Sequence, residues 1–331
     1  VTKAWFWFSF SSLGVFWAEV ISNSPLGLIN PILLMAYGTI YVLFADACLK
    51  SPQMTFRNWW IYGFLLGIIT ETFVAKVTFY GLSPAEIRIL GLSPGAILFI
   101  IGFYHVFISW MIPCYLGRWL FEIPFPLKIT KLRTIAVFSS PILLSPFHYA
   151  CIIKRKWDLT FFASQVSFCA LILLIVIIIL YCLKWKYPVI NISLSSSTRK
   201  KVLFFTMCVY CFFLLNMTNA AHGHPPKDIP PWPFIFICLI IFILYHYNLR
   251  QVHPTKEVLW KPASIKIYKT IFWLIWHVGS SFIILNAYSI LPALSENFIL
   301  KIALFGIIFS WSTLVLSCLH KSYCLPPRKI L

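Results

Sequence analysis

Acidic residues are scarce in this chain: nine Asp and Glu stand against 27 Lys and Arg among 331 residues, and charged residues of both signs make up 11%. Soluble globular domains carry about a quarter charged residues, so that class is excluded. Long polar stretches are missing as well. The longest polar connections, about 184–200 and 251–267, are far shorter than a folded unit, so no soluble domain is expected and any site must lie among the apolar segments or at their mouths. A disulfide framework is not expected either. Cys114, Cys151, Cys169, Cys182, Cys208, Cys211, Cys238 and Cys318 lie within or at the ends of apolar runs, where cysteine behaves as a small apolar side chain. Cys208 and Cys211 form a C-x-x-C with no second pair to complete a zinc site. No internal repeat is visible, because the acids within apolar runs cluster in the first three. The tail SYCLPPRKIL carries no prenylation signal.

What is abundant is apolar surface: 60% of the residues, with a mean hydropathy of +0.85. Windows of about twenty residues place spans at 4–22, 29–49, 58–80, 94–120, 131–151, 159–183, 201–220, 233–250, 268–291 and 298–319. The fold class expected is all-α, a polytopic transmembrane helical bundle of about ten spans forming a single domain over 1–331. The run 4–22 contains Glu19 and lacks a small-residue cleavage site, so it reads as a membrane helix and not a signal peptide. Span 131–151, interrupted by Pro141 and Pro146, reads as a full crossing or a re-entrant segment. The net charge of +18 sits in short loops between apolar runs, which is the positive-inside pattern and not a nucleic-acid footprint. Both termini are then cytoplasmic in a cell membrane, with Arg88, Lys154, Arg155, Lys156, Lys227 and Lys301 on the far side. Membrane lipids are the expected surroundings, and nucleic acid is not an expected partner.

The stretch WWIYGFLLGIITETFVAKVTFYG, 59–81, carries Glu71 and Lys76 at membrane depth. A carboxylate there costs about 2.5 to 3.5 kcal/mol on insertion scales, so it must face protein or water. Gly63, Gly67, Glu71 and Ala75 recur every four residues, and the small ones would admit a neighbouring helix, placing Glu71 in a helix–helix seam. On the next span, Gly102, His105, Ser109 and Pro113 form a second small-and-polar stripe, with His105 at a matching depth. Glu71 and His105 are therefore the candidate catalytic pair. Glu19, Asn30, Lys76, Ser109, His277 and Ser281 are expected to line the same polar seam, which lies among spans one, three, four and nine with Asn30 at the start of span two. Asn30 precedes Pro31, which suits a first helical turn. Asp46, near a helix end, is expected to be solvated, Tyr37 and Tyr41 to pack, and Arg118 and Glu122 to pair at an interface. His222, His224 and Asp228 have types that suit a metal, in a proline-rich loop with no fourth ligand. No cofactor can be read from the residues.

Two resemblances rest on particular motifs. WAEVISNSPLGLINPILLMAYG, the 59–81 stretch and YHVFISWMIPCYLGRWLFEIPFP together resemble a family of uncharacterised prokaryotic multi-pass membrane proteins. Its pattern of E-I-x-S, N-P, a G-I-x-E-E-G helix with a following Lys, and an aromatic-His pair with a later Pro falls here near Glu19, Ile21 and Ser22, on Asn30 and Pro31, on Glu71 and Lys76, and on Tyr104, His105 and Pro113. That resemblance covers roughly the first 125 residues and implies no particular activity. More distantly, the Glu helix followed by a His helix resembles the CAAX-protease and bacteriocin-processing family of intramembrane endopeptidases, which would imply a hydrolase. The chain departs from it where Thr70 stands for the first Glu and Ile101 for the Phe of F-x-x-x-H; His224 and Asp228 have the spacing of the third motif but lie in a loop.

Three functions follow as expectations. In a hydrolase, Glu71 is the general base that activates water and His105, with His277, steadies the oxyanion, acting on a hydrophobic or peptide substrate. In a transporter or lipid-handling protein, the same groups line a pathway or relay protons. In a structural membrane subunit, they only neutralise one another.

Overall fold

A computed structural model describes residues 2–20, 28–51, 54–80, 87–127, 130–131, 134–135, 137–140, 159–216, 231–249, 256–290 and 293–319. The described chain is almost wholly helical. In order come α1 (Thr2–Val15, continued by a π-helical turn Phe16–Val20), α2 (Pro31–Lys50), α3 (Phe56–Phe73) and the short α4 (Val77–Tyr80). Helix α5 follows, wound as a π-helix over Ala96–Met111 and as an α-helix over Ile112–Leu120. Then come α6 (Leu159–Cys182), α7 (Ser196–Asn216), α8 (Pro231–Leu249), α9 (Ile267–Ile290) and α10 (Ala293–Leu319). Strands β1 (Ile190–Asn191) and β2 (Leu259–Trp260) pair antiparallel, Ile190 opposite Trp260.

Among the described residues three helices are long and apolar enough to cross a membrane, Leu33–Lys50, Ala96–Leu120 and Thr160–Trp185, and two shorter apolar ones run over Trp232–Tyr247 and Leu304–Cys318. Most of span 131–151 and the loop bearing His222, His224 and Asp228 lie outside the described residues. The chain divides into two compact units, one of Val1–Leu34, Ile112–Ser193 and Glu257–Leu304, the other of Met35–Met111, Leu194–Lys256 and Phe305–Leu331.

The first unit is held by packed aromatic side chains, two of which also use their indole N–H to tie distant backbone together. Trp7 Nε1 donates to Ile192 O at 3.0 Å, and Trp260 Nε1 donates to Phe121 O at 2.8 Å. Phe6 packs on Trp260 and Phe10 on Phe125, with ring centroids 4.9 and 5.4 Å apart. Helix α6 buries Cys169, Leu173, Ile177 and Leu180 but leaves Leu171, Ile175, Ile178 and Ile179 exposed. A bare aliphatic face of that kind is tolerated against acyl chains and not against water.

In the second unit, α3 begins with a capping box: the Thr55 side chain accepts from Asn58 N–H while the Asn58 side chain accepts from Thr55 N–H. The continuous helix expected over 58–80 does not form. It ends at Phe73, Thr70 O accepts from both Val74 and Ala75 N–H, and Lys76 takes a positive φ of 57° before α4 starts. β-Branched Thr70, Thr72, Val74, Val77 and Thr78 weaken helix here, and the Thr72 and Thr78 hydroxyls meet across the break at 3.2 Å.

Helix α5 packs along α3 at two glycines. A Cβ on Gly63 would lie 2.6 Å from Val106 Cα, and one on Gly67 would lie 2.8 Å from His105 Cβ, so only glycine permits this approach. The α10 segment within this unit packs against both α3 and α5. Trp60 Nε1 donates to Ser310 Oγ at 2.9 Å, Ser310 Oγ donates to Gly102 O, and Trp311 Nε1 donates to Leu98 O at 3.1 Å.

Candidate functional site

The α3–α5 approach brings Glu71 and His105 together inside the second unit. With Gly63 and Gly67 one and two turns earlier on the same line, Glu71 inherits the close side of α3. Its Oε1 lies 2.8 Å from His105 Nε2, and the two residues are 7% and 2% exposed. A carboxylate and an imidazole nitrogen at this distance share one proton, and the ring's second nitrogen, Nδ1, points away from the carboxylate. That Nδ1 is buried and has no hydrogen-bond partner among the described residues. Tyr37 stacks near the ring with centroids 6.3 Å apart, and Tyr104 meets it edge-on at 5.6 Å.

The stripe expected along α5 is only partly one face. Gly102 turns instead toward α10, where an added Cβ would meet the Trp311 ring at 2.9 Å. The wider π winding rotates the chain less per residue, so positions three apart separate while positions four apart stay close. Ser109 is buried on α5, and its Oγ has no partner among the described residues. Its carbonyl is taken by the Tyr41 hydroxyl. Pro113, four residues on, has no N–H to offer that carbonyl, so a side chain from α2 supplies the donor.

Lys76 is buried within the break after α3, at positive φ. Asn30 is exposed and caps α2, its side chain accepting from Leu33 N–H at 3.3 Å, so it acts as a helix cap and not as part of a buried seam. His277 belongs to the first unit, buried beside Trp17 and Trp273 with ring centroids 4.6 and 5.9 Å away. Glu19 and Ser281 lie on helices of that unit, and their side chains are outside the described residues. Glu122 pairs with Lys266 at 2.8 Å, while Arg118 reaches the Ile123 carbonyl at 3.5 Å. Among the described residues no group of three His, Cys, Asp or Glu could hold a metal.

Asp46 is the residue that sequence reasoning misplaced. It is not solvated but fully buried: its Oδ1 accepts from Leu194 N–H at 2.8 Å, and its Oδ2 faces Lys50 Nζ at 3.2 Å and Arg199 Nε at 4.0 Å. The i,i+4 spacing of Asp46 and Lys50 on α2 was the available signal.

In comparisons with known proteins, the model of an uncharacterised membrane protein family matches residues 8–329. No curated protein and no solved structure matches the chain.

Proposed function

Because the chain belongs to a family of membrane proteins, matched over residues 8–329, we propose that it is a multi-pass bundle in which Glu71 and His105 carry protons along a substrate pathway. The observation that carries this reading is the buried 2.8 Å contact between a carboxylate and an imidazole whose second nitrogen has no protein partner among the described residues. Ionisable groups kept at membrane depth against a cost of about 2.5 to 3.5 kcal/mol mark ion or proton pathways. The interruption of α3 directly after Glu71 adds support, since broken helices are tolerated in lipid where they line a cavity. The crossing count of about ten, both termini on the cytoplasmic side and lipid surroundings belong to the same proposal, supported by the clustering of basic residues in alternate loops.

The test is proton movement in proteoliposomes loaded with a pH-sensitive dye and given an external acid step. Wild type acidifies the lumen faster than empty liposomes, and Glu71→Gln and His105→Gln fall to the empty-liposome rate. A wild-type rate equal to that of empty liposomes overturns the reading.

A second reading, an intramembrane hydrolase, draws on the same free Nδ1, which suits a general base. The chemistry of the CAAX-protease-like family fits less well. Thr70 stands where that family has a Glu, and its hydroxyl is turned back onto Leu66 O and Gly67 O of its own helix at 2.9 and 3.1 Å. Turnover of peptide or lipid-ester substrates by wild type, lost in Glu71→Gln and His105→Ala, would select this reading over the first.

A further inference from the structure

The end of the second unit formed by the C-terminus of α2 and the start of α7 holds more positive charge than its one carboxylate can offset. Asp46 and Lys50 are 0% and 1% exposed. Asp46 Oδ1 accepts from Leu194 N–H, and Oδ2 faces Lys50 Nζ at 3.2 Å as an ion pair, closer than any contact it makes with Arg199. Lys50 in turn donates to Leu194 O. Lys256, exposed at the rim, is held beside them by donating to Leu49 O at 3.1 Å. Arg199 is the group left over. Its side chain is 16% exposed, and its nearest carboxylate contact, Nε to Asp46 Oδ2, is 4.0 Å, too long for a hydrogen bond. The unit's other carboxylate among the described residues, Glu71, is occupied by His105.

A guanidinium has five N–H donors, and withdrawing it from water without acceptors is costly. The planar fork matches two oxygens of one anion, and a tetrahedral phosphate has further oxygens for a neighbouring ammonium. Lys50 and Arg199 share the carboxylate of Asp46, and Lys256 adds a third cation at the rim, leaving the net charge that such an anion would neutralise. We propose that Arg199, with Lys256 at the rim, is a binding site for a phosphate group, taken from an anionic lipid headgroup or from free phosphate. Exposed Lys200 and Lys201 continue the basic surface outward and serve as the contrast with this built position.

The experiment uses the full chain in nanodiscs. One arm compares phosphatidylcholine with phosphatidylcholine–phosphatidylglycerol discs and counts retained phosphatidylglycerol by native mass spectrometry. The other titrates inorganic phosphate into phosphatidylcholine discs and follows thermal stability. Wild type retains phosphatidylglycerol selectively or is stabilised by phosphate, and the arm that responds identifies the source. Arg199→Gln weakens that response at least about tenfold, as expected for losing a charge-assisted bidentate contact. Arg199→Lys keeps the charge facing Asp46 and folds, yet still loses most of the response. Lys200→Gln removes the same charge from the exposed surface and leaves the response intact. No response in either arm, an unchanged response in Arg199→Lys, or an equal loss in Lys200→Gln overturns the proposal.

Discussion

Adding one methyl group at Gly67 tests the α3–α5 seam without substituting either polar partner. In Gly67→Ala the new Cβ would lie 2.8 Å from His105 Cβ, 3.0 Å from Cγ and 3.1 Å from Cδ2. Carbon atoms pack favourably at about 3.5 to 4.0 Å, so α5 must back away by roughly an ångström or His105 must swing aside. His105 Cβ is fixed to the backbone, so swinging the ring relieves only the Cγ and Cδ2 contacts and the helix has to move as well. Either response lengthens the 2.8 Å contact to Glu71 toward a separation that no longer counts as a hydrogen bond. Overpacking of this kind costs about 1 to 3 kcal/mol, before any loss from the carboxylate. Gly279→Ala on α9 is the matched control, because a Cβ there meets nothing within 4 Å. It should stabilise by about 0.5 to 1 kcal/mol through the unfolded chain's lost freedom. Thermal unfolding in detergent, followed by tryptophan fluorescence, reads both. Equal stability of Gly67→Ala and wild type would refute the close approach of the two helices.

Asp46→Ala strands Lys50 and Arg199 in the interior and should be among the most damaging single changes, about 3 to 5 kcal/mol by denaturant unfolding. Trp60→Phe removes the donor to Ser310 while keeping most of the ring, and should cost about 1 kcal/mol in the same assay. Glu122→Gln breaks the pair with Lys266, but both side chains are substantially exposed, so stability should change by less than about 1 kcal/mol and only at low salt.

Proximity was the part of the site most legible in the sequence. Small residues every four positions before Glu71, and a histidine at matching depth on the following span, are enough to bring the two side chains to one seam. What the sequence concealed came from backbone winding and from long-range partners. A period of 3.6 puts Gly102 beside His105, whereas the π winding of α5 hands Gly102 to Trp311. Hydropathy carries 58–80 through as one span, because Val and Thr are apolar enough to pass a window while being poor enough in helices to break at Val74–Lys76. Asp46 looks like a solvated helix end until the backbone of Leu194, far along the chain, donates to it. His277 shares residue type with His105 but sits against two tryptophans of the first unit, a distinction that no spacing within α9 could reveal.

The account turns on a proton held between Glu71 and His105, and nitrogen NMR of histidine-labelled protein in nanodiscs reads it directly. Wild type should show one histidine with a fixed, non-averaging ring whose Nε2 is hydrogen-bonded, and Glu71→Gln should shift that signal alone. A His105 signal that averages between tautomers in wild type, or that Glu71→Gln leaves in place, would contradict the account.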